Sequence, residues 1–297
     1  MSSLAPHSEV KTKPRIVIQG VRGAFHELAA QQLFGTTIDI VPALSFDELA
    51  LKAADPNQAD AAVMAIENSL AGSILSNYIL LQRNNFRIVG EVNIPIRQNL
   101  MALPGAQLAD LKEVHSHPMA LAQCAEFFRS QPHIRLVNTE DTAESAARIA
   151  RMQLKNTGAI AGTLAAEMYG LEIVAPNIET HPANFTRFLA LRRESDAPPA
   201  IPGANKVSLS FTLPHHPGSL SRVLGMLAAQ SANLTKIQSV PLIGFPGEYL
   251  FLTDFSVNNP AVIPETLRLL DVVTNDCKVL GIYRSAPQPV TLQPETC

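Results

Sequence analysis

The segment Asn184-Phe185-Thr186-Arg187-Phe188-Leu189 sets a carboxamide, a hydroxyl and a fixed cation within four positions, among apolar neighbours. An arginine can hold a carboxylate through two parallel N–H bonds, and a hydroxyl can offer a hydrogen bond where charge develops on a departing oxygen. The same pattern also fits an amphipathic strand with a surface arginine. Glu67-Asn68-Ser69 follows the apolar run Ala61–Ile66 directly and places three polar groups at a strand end; a helix start capped by Asn68 or Ser69 would use the same residues. His115-Ser116-His117 puts two imidazoles on one face of an extended segment. No third ligand stands at a matching spacing, so no metal site is indicated, and Pro118 moves His117 to the strand's C-terminal edge, where open α/β sheets bind ligands. Gly20-Val21-Arg22-Gly23 fits either an anion cradle of free helix N–H groups or a plain tight turn. Cys124, among Ala, Leu and Phe, reads as a packed and inert thiol.

The elements that must hold these groups alternate. Arg15–Gln19 reads as a strand, Phe25–Phe34 as a helix, and Ser45 with Glu48 as a capping box opening another helix. Ala61–Ile66 is apolar throughout, as strands covered on both faces are. Glu113–Ser116, Arg135–Val137, Ala159–Ala161 and Arg187–Leu191 read as strands; Pro118–Arg129, Thr142–Met152 and Thr163–Tyr169 read as helices. The alternation predicts parallel sheets with crossover helices. Glu194–Asn205 holds three prolines and a glycine and reads as a linker. Beyond it, Lys206–Leu213, Ser219–Gln230, Leu234–Val240, Glu248–Phe255, Ile263–Leu270 and Lys278–Tyr283 give a βαββαβ order, with Gly244-Phe245-Pro246-Gly247 as the central turn.

Composition narrows the classes. The 297 residues suit two domains, and 46% hydrophobic against 16% charged residues excludes a disordered chain. A net charge of −3 without a basic cluster argues against nucleic-acid binding. Cys124, Cys277 and Cys297 are scattered, which suits a reducing compartment. The polar leader MSSLAPHSEVKTKP and the lack of ~18 consecutive apolar residues predict a cytoplasmic chain with no membrane partner.

In order and spacing, the glycine loop with AFHE, Ile66–Ile74 (IENSLAGSI), Ser116–Cys124 (SHPMALAQC), Asp141–Ala146 (DTAESA) and Asn184–Leu189 (NFTRFL) resemble the prephenate dehydratase family, over roughly residues 14–193. Residues 205–285 resemble the ACT regulatory module that follows its catalytic domain. The resemblance implies an α/β fold of two lobes like type II periplasmic binding proteins, with the active site in the cleft between them. A ferredoxin-like α+β domain follows. It implies conversion of prephenate to phenylpyruvate, carbon dioxide and water in L-phenylalanine biosynthesis, with no cofactor and no metal.

By the same resemblance Thr186 is the essential residue and Arg187 and Phe188 complete its motif. Thr186 is read as a donor to the leaving hydroxyl, with Glu67 or water relaying a proton. Asn68, Ser69, Ser116, His117, Thr163, Asn184 and Phe188 line the pocket, and amides near Gly23 hold a carboxylate. Arg187 is expected to hold the pyruvyl carboxylate, because pairing the departing one too strongly would slow its loss. In the C-terminal module Gly218-Ser219-Leu220 with Leu224, Asn233, Leu234, and Gln238-Ser239-Val240-Pro241 correspond to an effector site for L-phenylalanine. The family's Glu-Ser-Arg-Pro has lost its acid and its arginine here, which puts feedback in question. A homodimer or homotetramer and a monofunctional chain are expected. Arogenate dehydratase, and a non-catalytic amino-acid sensor, are the alternatives.

Overall fold

The computed structural model describes residues 13–287 apart from 243, 246 and 247; all but the last two residues of the expected polar leader, Cys297 and half of the Gly244–Gly247 turn fall outside them. In the first lobe β1 (Arg15–Gln19), α1 (Phe25–Phe34), β2 (Asp39–Ala43), α2 (Phe46–Ala54), β3 (Ala61–Asn68), β4 (Gly72–Ser73), α3 (Leu75–Arg83) and β5 (Phe86–Pro95) follow one another. The chain then crosses into a second lobe. It holds β6 (Asn99–Ala102), β7 (Glu113–Ser116), α4 (Pro118–Gln123), α5 (Ala125–Arg129), β8 (Arg135–Asn138), α6 (Thr142–Met152), β9 (Thr157–Ala161), α7 (Thr163–Tyr169) and β10 (Glu172–Ala175). It returns as β11 (Phe185–Arg193), which enters the first sheet between β5 and β3.

Both sheets are mixed rather than parallel. β1 pairs parallel with β2 and β3, but β11 runs antiparallel to both neighbours, and β6 runs antiparallel to β9 and β10. The helix expected over Pro118–Arg129 is broken at Cys124 into α4 and α5. Ser45 caps α2 by accepting from the Glu48 N–H, but the Glu48 carboxylate accepts from Leu44 N rather than closing the box on Ser45.

Past the linker come β12 (Lys206–Thr212), α8 (Ser219–Ala229), β13 (Asn233–Pro241), β14 (Tyr249–Ser256), α9 (Ile263–Val273) and β15 (Asn275–Tyr283). Their strand order β13-β14-β12-β15 is ferredoxin-like. β15 lies parallel to β5 at Gly281 and Ile88, so one sheet of ten strands runs through the first lobe and the C-terminal unit. A Cβ on Gly281 would collide with the Ile88 carbonyl, so only glycine permits this approach. The apolar core follows the join: Leu252, Leu280 and Tyr283 pack with Ile88, Leu189 and Leu191. The opposite face of the first sheet buries Ile16, Ile18, Val63 and Phe188 beneath α1.

Candidate functional site

The alternation of β11 decides what faces the cleft. Successive side chains of a strand point to opposite faces, so Thr186 and Phe188 share a face and Arg187 takes the other. Thr186 pairs with Asn68 of β3, and Arg187 with Glu67. The register then slips, Phe188 pairing with Ala65 and leaving Ile66 as an extra residue. This bulge sends Glu67 to the same face as Ile66 while returning Asn68 to the side of Thr186.

Thr186, Asn68 and Phe188 line a cavity of about 290 Å³ between the lobes, together with Gln19, Phe25, His26 and Phe46 from the first lobe. The second lobe supplies Gln98, His117, Gln123, Glu140, Asp141 and Thr142. Asn68 is fixed at both ends. Its Oδ1 accepts from the N–H groups of Leu70 and Ala71, and its Nδ2 reaches Asn184 Oδ1 at 2.7 Å, the Phe185 carbonyl at 3.1 Å and Thr186 Oγ1 at 3.0 Å. The threonine oxygen therefore accepts from Asn68 and keeps its own hydrogen for the cleft.

His26 sits edge-on to Phe188, with ring centroids 4.9 Å apart, and accepts the Ala65 N–H at Nε2. Burial lowers its pKa to about 3, so the ring is neutral. Asp141 caps α6 by accepting from Glu144 N. Burial raises its carboxyl pKa, against the opposing N–H bonds from Glu144 and Ala143 and the field of His117. Gln98 Nε2 donates to Gln123 Oε1 at 3.1 Å, which leaves the Gln123 amide nitrogen for a ligand. Burial raises the Cys124 thiol pKa to about 12, in keeping with an inert thiol.

Several expected residues stand elsewhere. Arg187 turns away from the cleft to Glu91, Asp254 and Tyr283, so it does not hold a substrate carboxylate. Glu67 faces Lys236 and Arg187 and is no proton relay for the cleft. The Gly23 N–H is already taken by Glu27 Oε2 at 2.7 Å, so that loop binds its own acid rather than a ligand. Gly23 and Thr163 line a different cavity of about 360 Å³. Ser116 is fully buried and donates to the Ile160 carbonyl. Ser69 links to the backbone of Ala183 and Phe185, and Asn184 lies buried beneath Asn68; both support the site from outside the cavity. His117 does line the cleft, with Nδ1 accepting from Met119 N. Sequence reasoning passed over His26, Gln98, Gln123 and Asp141. Three of them lay inside the quoted AFHE, SHPMALAQC and DTAESA segments. A larger cavity of about 660 Å³ in the second lobe, near Asp110 and Tyr169, contains none of these residues.

Two α/β lobes joined by two crossings around a polar cleft define the class of two-lobed, periplasmic-binding-protein-like domains. Residues 16–196 match the family described as prephenate dehydratase, and the chain belongs to that family of decarboxylating dehydratases. It is 41% identical over 285 residues to arogenate dehydratase/prephenate dehydratase 2, chloroplastic, of Arabidopsis thaliana, covering 92% of this chain and 73% of that one. Among solved structures it resembles GqqA, described as a novel type of quorum quenching acylase, with TM-score 0.81, 32% identity, and 92% and 98% of the two chains covered. It also resembles the prephenate dehydratase of Arthrobacter aurescens in complex with L-Phe, with TM-score 0.78, 29% identity, and 94% and 93% covered. No helix among the described residues is long and apolar enough to cross a membrane, and no cluster there could hold a metal ion.

Proposed function

We propose that this cleft converts prephenate to phenylpyruvate, carbon dioxide and water, in L-phenylalanine biosynthesis. The observation that carries the reading is the Thr186 hydroxyl, which accepts from Asn68 and has its hydrogen free for an oxygen in the cleft. As the bond to the ring carboxylate breaks, carbon dioxide departs, that bond's electron pair enters the ring, and the ring hydroxyl oxygen leaves with the C–O pair. The charge growing on the departing oxygen meets the Thr186 hydrogen bond, and a proton from Asp141 releases it as water. Phe25, Phe46 and Phe188 offer apolar faces to the ring. Gln123 and His117 offer donors to the carboxylates, with no lysine or arginine among the lining residues.

The purified chain, given prephenate and followed by phenylpyruvate absorbance, tests this. Turnover supports it and silence with both prephenate and arogenate ends it. Arogenate is the second reading, because Glu140 and Asp141 stand in the wall where an ammonium group could pair. Asp141→Asn keeps the helix cap; a loss of kcat on prephenate supports the proton donor, whereas a raised KM confined to arogenate supports the ammonium contact. An acylase would need a base for the Thr186 hydroxyl, and His26, already accepting the Ala65 N–H with a pKa of about 3, is a poor one.

The division of labour we propose is a catalytic domain over 14–193 and an ACT domain over 205–285. Its effector site is drawn from Gly218, Ser219 and Leu220 at the start of α8 and Asn233, Leu234, Gln238 and Ser239 along β13. Ser219 Oγ is buried without a partner, and Gln238 Nε2 donates to its neighbour Ser239's carbonyl. The Arthrobacter complex supports L-phenylalanine as effector. β13 ends the ten-stranded sheet with alternate residues exposed. Its open edge suits a second copy of the chain, as a homodimer or within a homotetramer. The free Cys124 and Cys277 suit a reducing compartment, here the cytoplasm.

A further inference from the structure

Each member of the Asn68–Thr186 pair has a chain neighbour whose side chain is held by the C-terminal unit. Beside Thr186, Arg187 donates through Nε to Glu91 Oε2 at 2.7 Å, through Nη1 to Asp254 Oδ2 at 2.6 Å and through Nη2 to the Tyr283 hydroxyl at 2.9 Å. Glu91 lies on β5 of the first lobe; Asp254 and Tyr283 lie on β14 and β15. The cluster is closed by Lys206, whose ammonium lies 2.9 Å from both Glu91 oxygens, and by Ser208, which donates to Asp254 Oδ1 at 2.6 Å. Two cations meet two carboxylates with almost no solvent: side-chain exposures of Arg187, Glu91 and Asp254 are 11%, 2% and 3%. Beside Asn68, Glu67 receives Lys236 of β13 at 3.4 Å. The same ammonium bonds Ser73 and lies 5.0 Å over the Tyr78 ring.

We propose that Arg187 and Glu67 are positioning residues through which Asp254 and Lys236 of the C-terminal unit set the geometry of the Asn68–Thr186 hydrogen bond. The inference rests on the dehydratase reading for its chemistry. Its geometry is independent of which dienyl acid the cleft takes. Neither side chain reaches the cavity, yet each is one peptide from a residue that does. The bulge between Ala65 and Glu67 interrupts the regular β3–β11 register beside Asn68, and Lys236 ties Glu67 to β13 at that point. Misplacement of a reacting group by about 1 Å through a remote change can cost on the order of a hundredfold in rate.

The test compares Asp254→Asn and Lys236→Met, both outside the cavity, with the wild-type chain on prephenate, or on arogenate if that is the substrate turned over. Turnover is expected to fall by roughly tenfold in kcat, with KM changed less than about twofold. Arg187→Gln combined with Asp254→Asn is expected to lose no more than the worse single change, and Arg187→Lys is expected to recover part of the loss. Lys236→Met, which removes only the contacts to Glu67, Ser73 and the Tyr78 ring, keeps the test open should Asp254→Asn fail to fold. Unchanged kcat in a folded Lys236→Met or Asp254→Asn protein overturns the proposal, as does a rise confined to KM. A wild-type chain that turns over neither substrate, or a fully active Thr186→Ala protein, overturns the dehydratase reading instead.

Discussion

Asn68 Nδ2 donates to Thr186 Oγ1 at 3.0 Å across the paired strands β3 and β11, while Asn68 Oδ1 is fixed by the N–H groups of Leu70 and Ala71. An amide so clamped has one orientation, and with it the threonine hydroxyl has one free direction. Asn68→Asp removes the donor and sets an acceptor against the threonine oxygen. The hydroxyl hydrogen then turns to the carboxylate and away from substrate. We expect kcat to fall by about a hundredfold with KM little changed. Steady-state kinetics of the folded variant check this; an equal rise in KM at constant kcat would place Asn68 in substrate binding.

The ion cluster around Arg187 makes a stability prediction distinct from its kinetic one. Burial works against its charge, but Asp254, Tyr283 and Glu91 outweigh that and hold the guanidinium pKa well above the usual value. Arg187→Gln leaves the Asp254 carboxylate facing no cation in this direction. Breaking a buried pair by removing one partner costs about 3–5 kcal/mol. Urea denaturation is expected to show a loss of that order, and a loss under about 1 kcal/mol would mean the cluster relaxes or admits water.

His26 makes a pH prediction. Its folded pKa is lowered to about 3 by burial, against about 6.5 unfolded. Between those values the unfolded chain binds more protons, so the stability His26 contributes is complete above pH 6.5. It falls as the pH drops toward 3, by up to about 1.4 kcal/mol per unit. His26→Gln removes this slope. Denaturation midpoints at pH 7, 6 and 5 are expected to decline less steeply in the variant. Parallel declines would show that His26 charges freely in the folded state.

Much of this architecture is written in the sequence, and the misreadings have specific causes. The all-apolar Ala61–Ile66 run and the βαββαβ order after the proline-rich linker rest on periodicity, which the fold preserves. Reading both Thr186 and Arg187 as substrate contacts conflicts with the strand itself, because adjacent residues of one strand cannot share a face. The alternation alone would have separated them. Glu67 is different: strict alternation from Ala65 puts it in the cleft, and only the bulge at Ile66 removes it. Nothing local announces that bulge. Gly23 was legible as a turn with free N–H groups, but its occupant, Glu27, comes from the next helical turn. β11 runs antiparallel to both neighbours because the chain comes back from the second lobe, a long-range return that no window of sequence shows. Arg187 carries two signals at once, the polar pattern of a site and the burial of a tie to the C-terminal strands, and only the positions of Asp254 and Tyr283 tell them apart.

Assistance of the departing oxygen by the Thr186 hydroxyl is tested by a pair of variants. Prephenate turnover by Thr186→Ala and Thr186→Ser should be measured as phenylpyruvate absorbance beside the wild-type chain. Alanine is expected to lose about a hundredfold to a thousandfold, and serine, which restores the hydroxyl, is expected to stay within roughly tenfold of wild type. An alanine variant that turns prephenate over within a few fold of wild type would contradict that assistance.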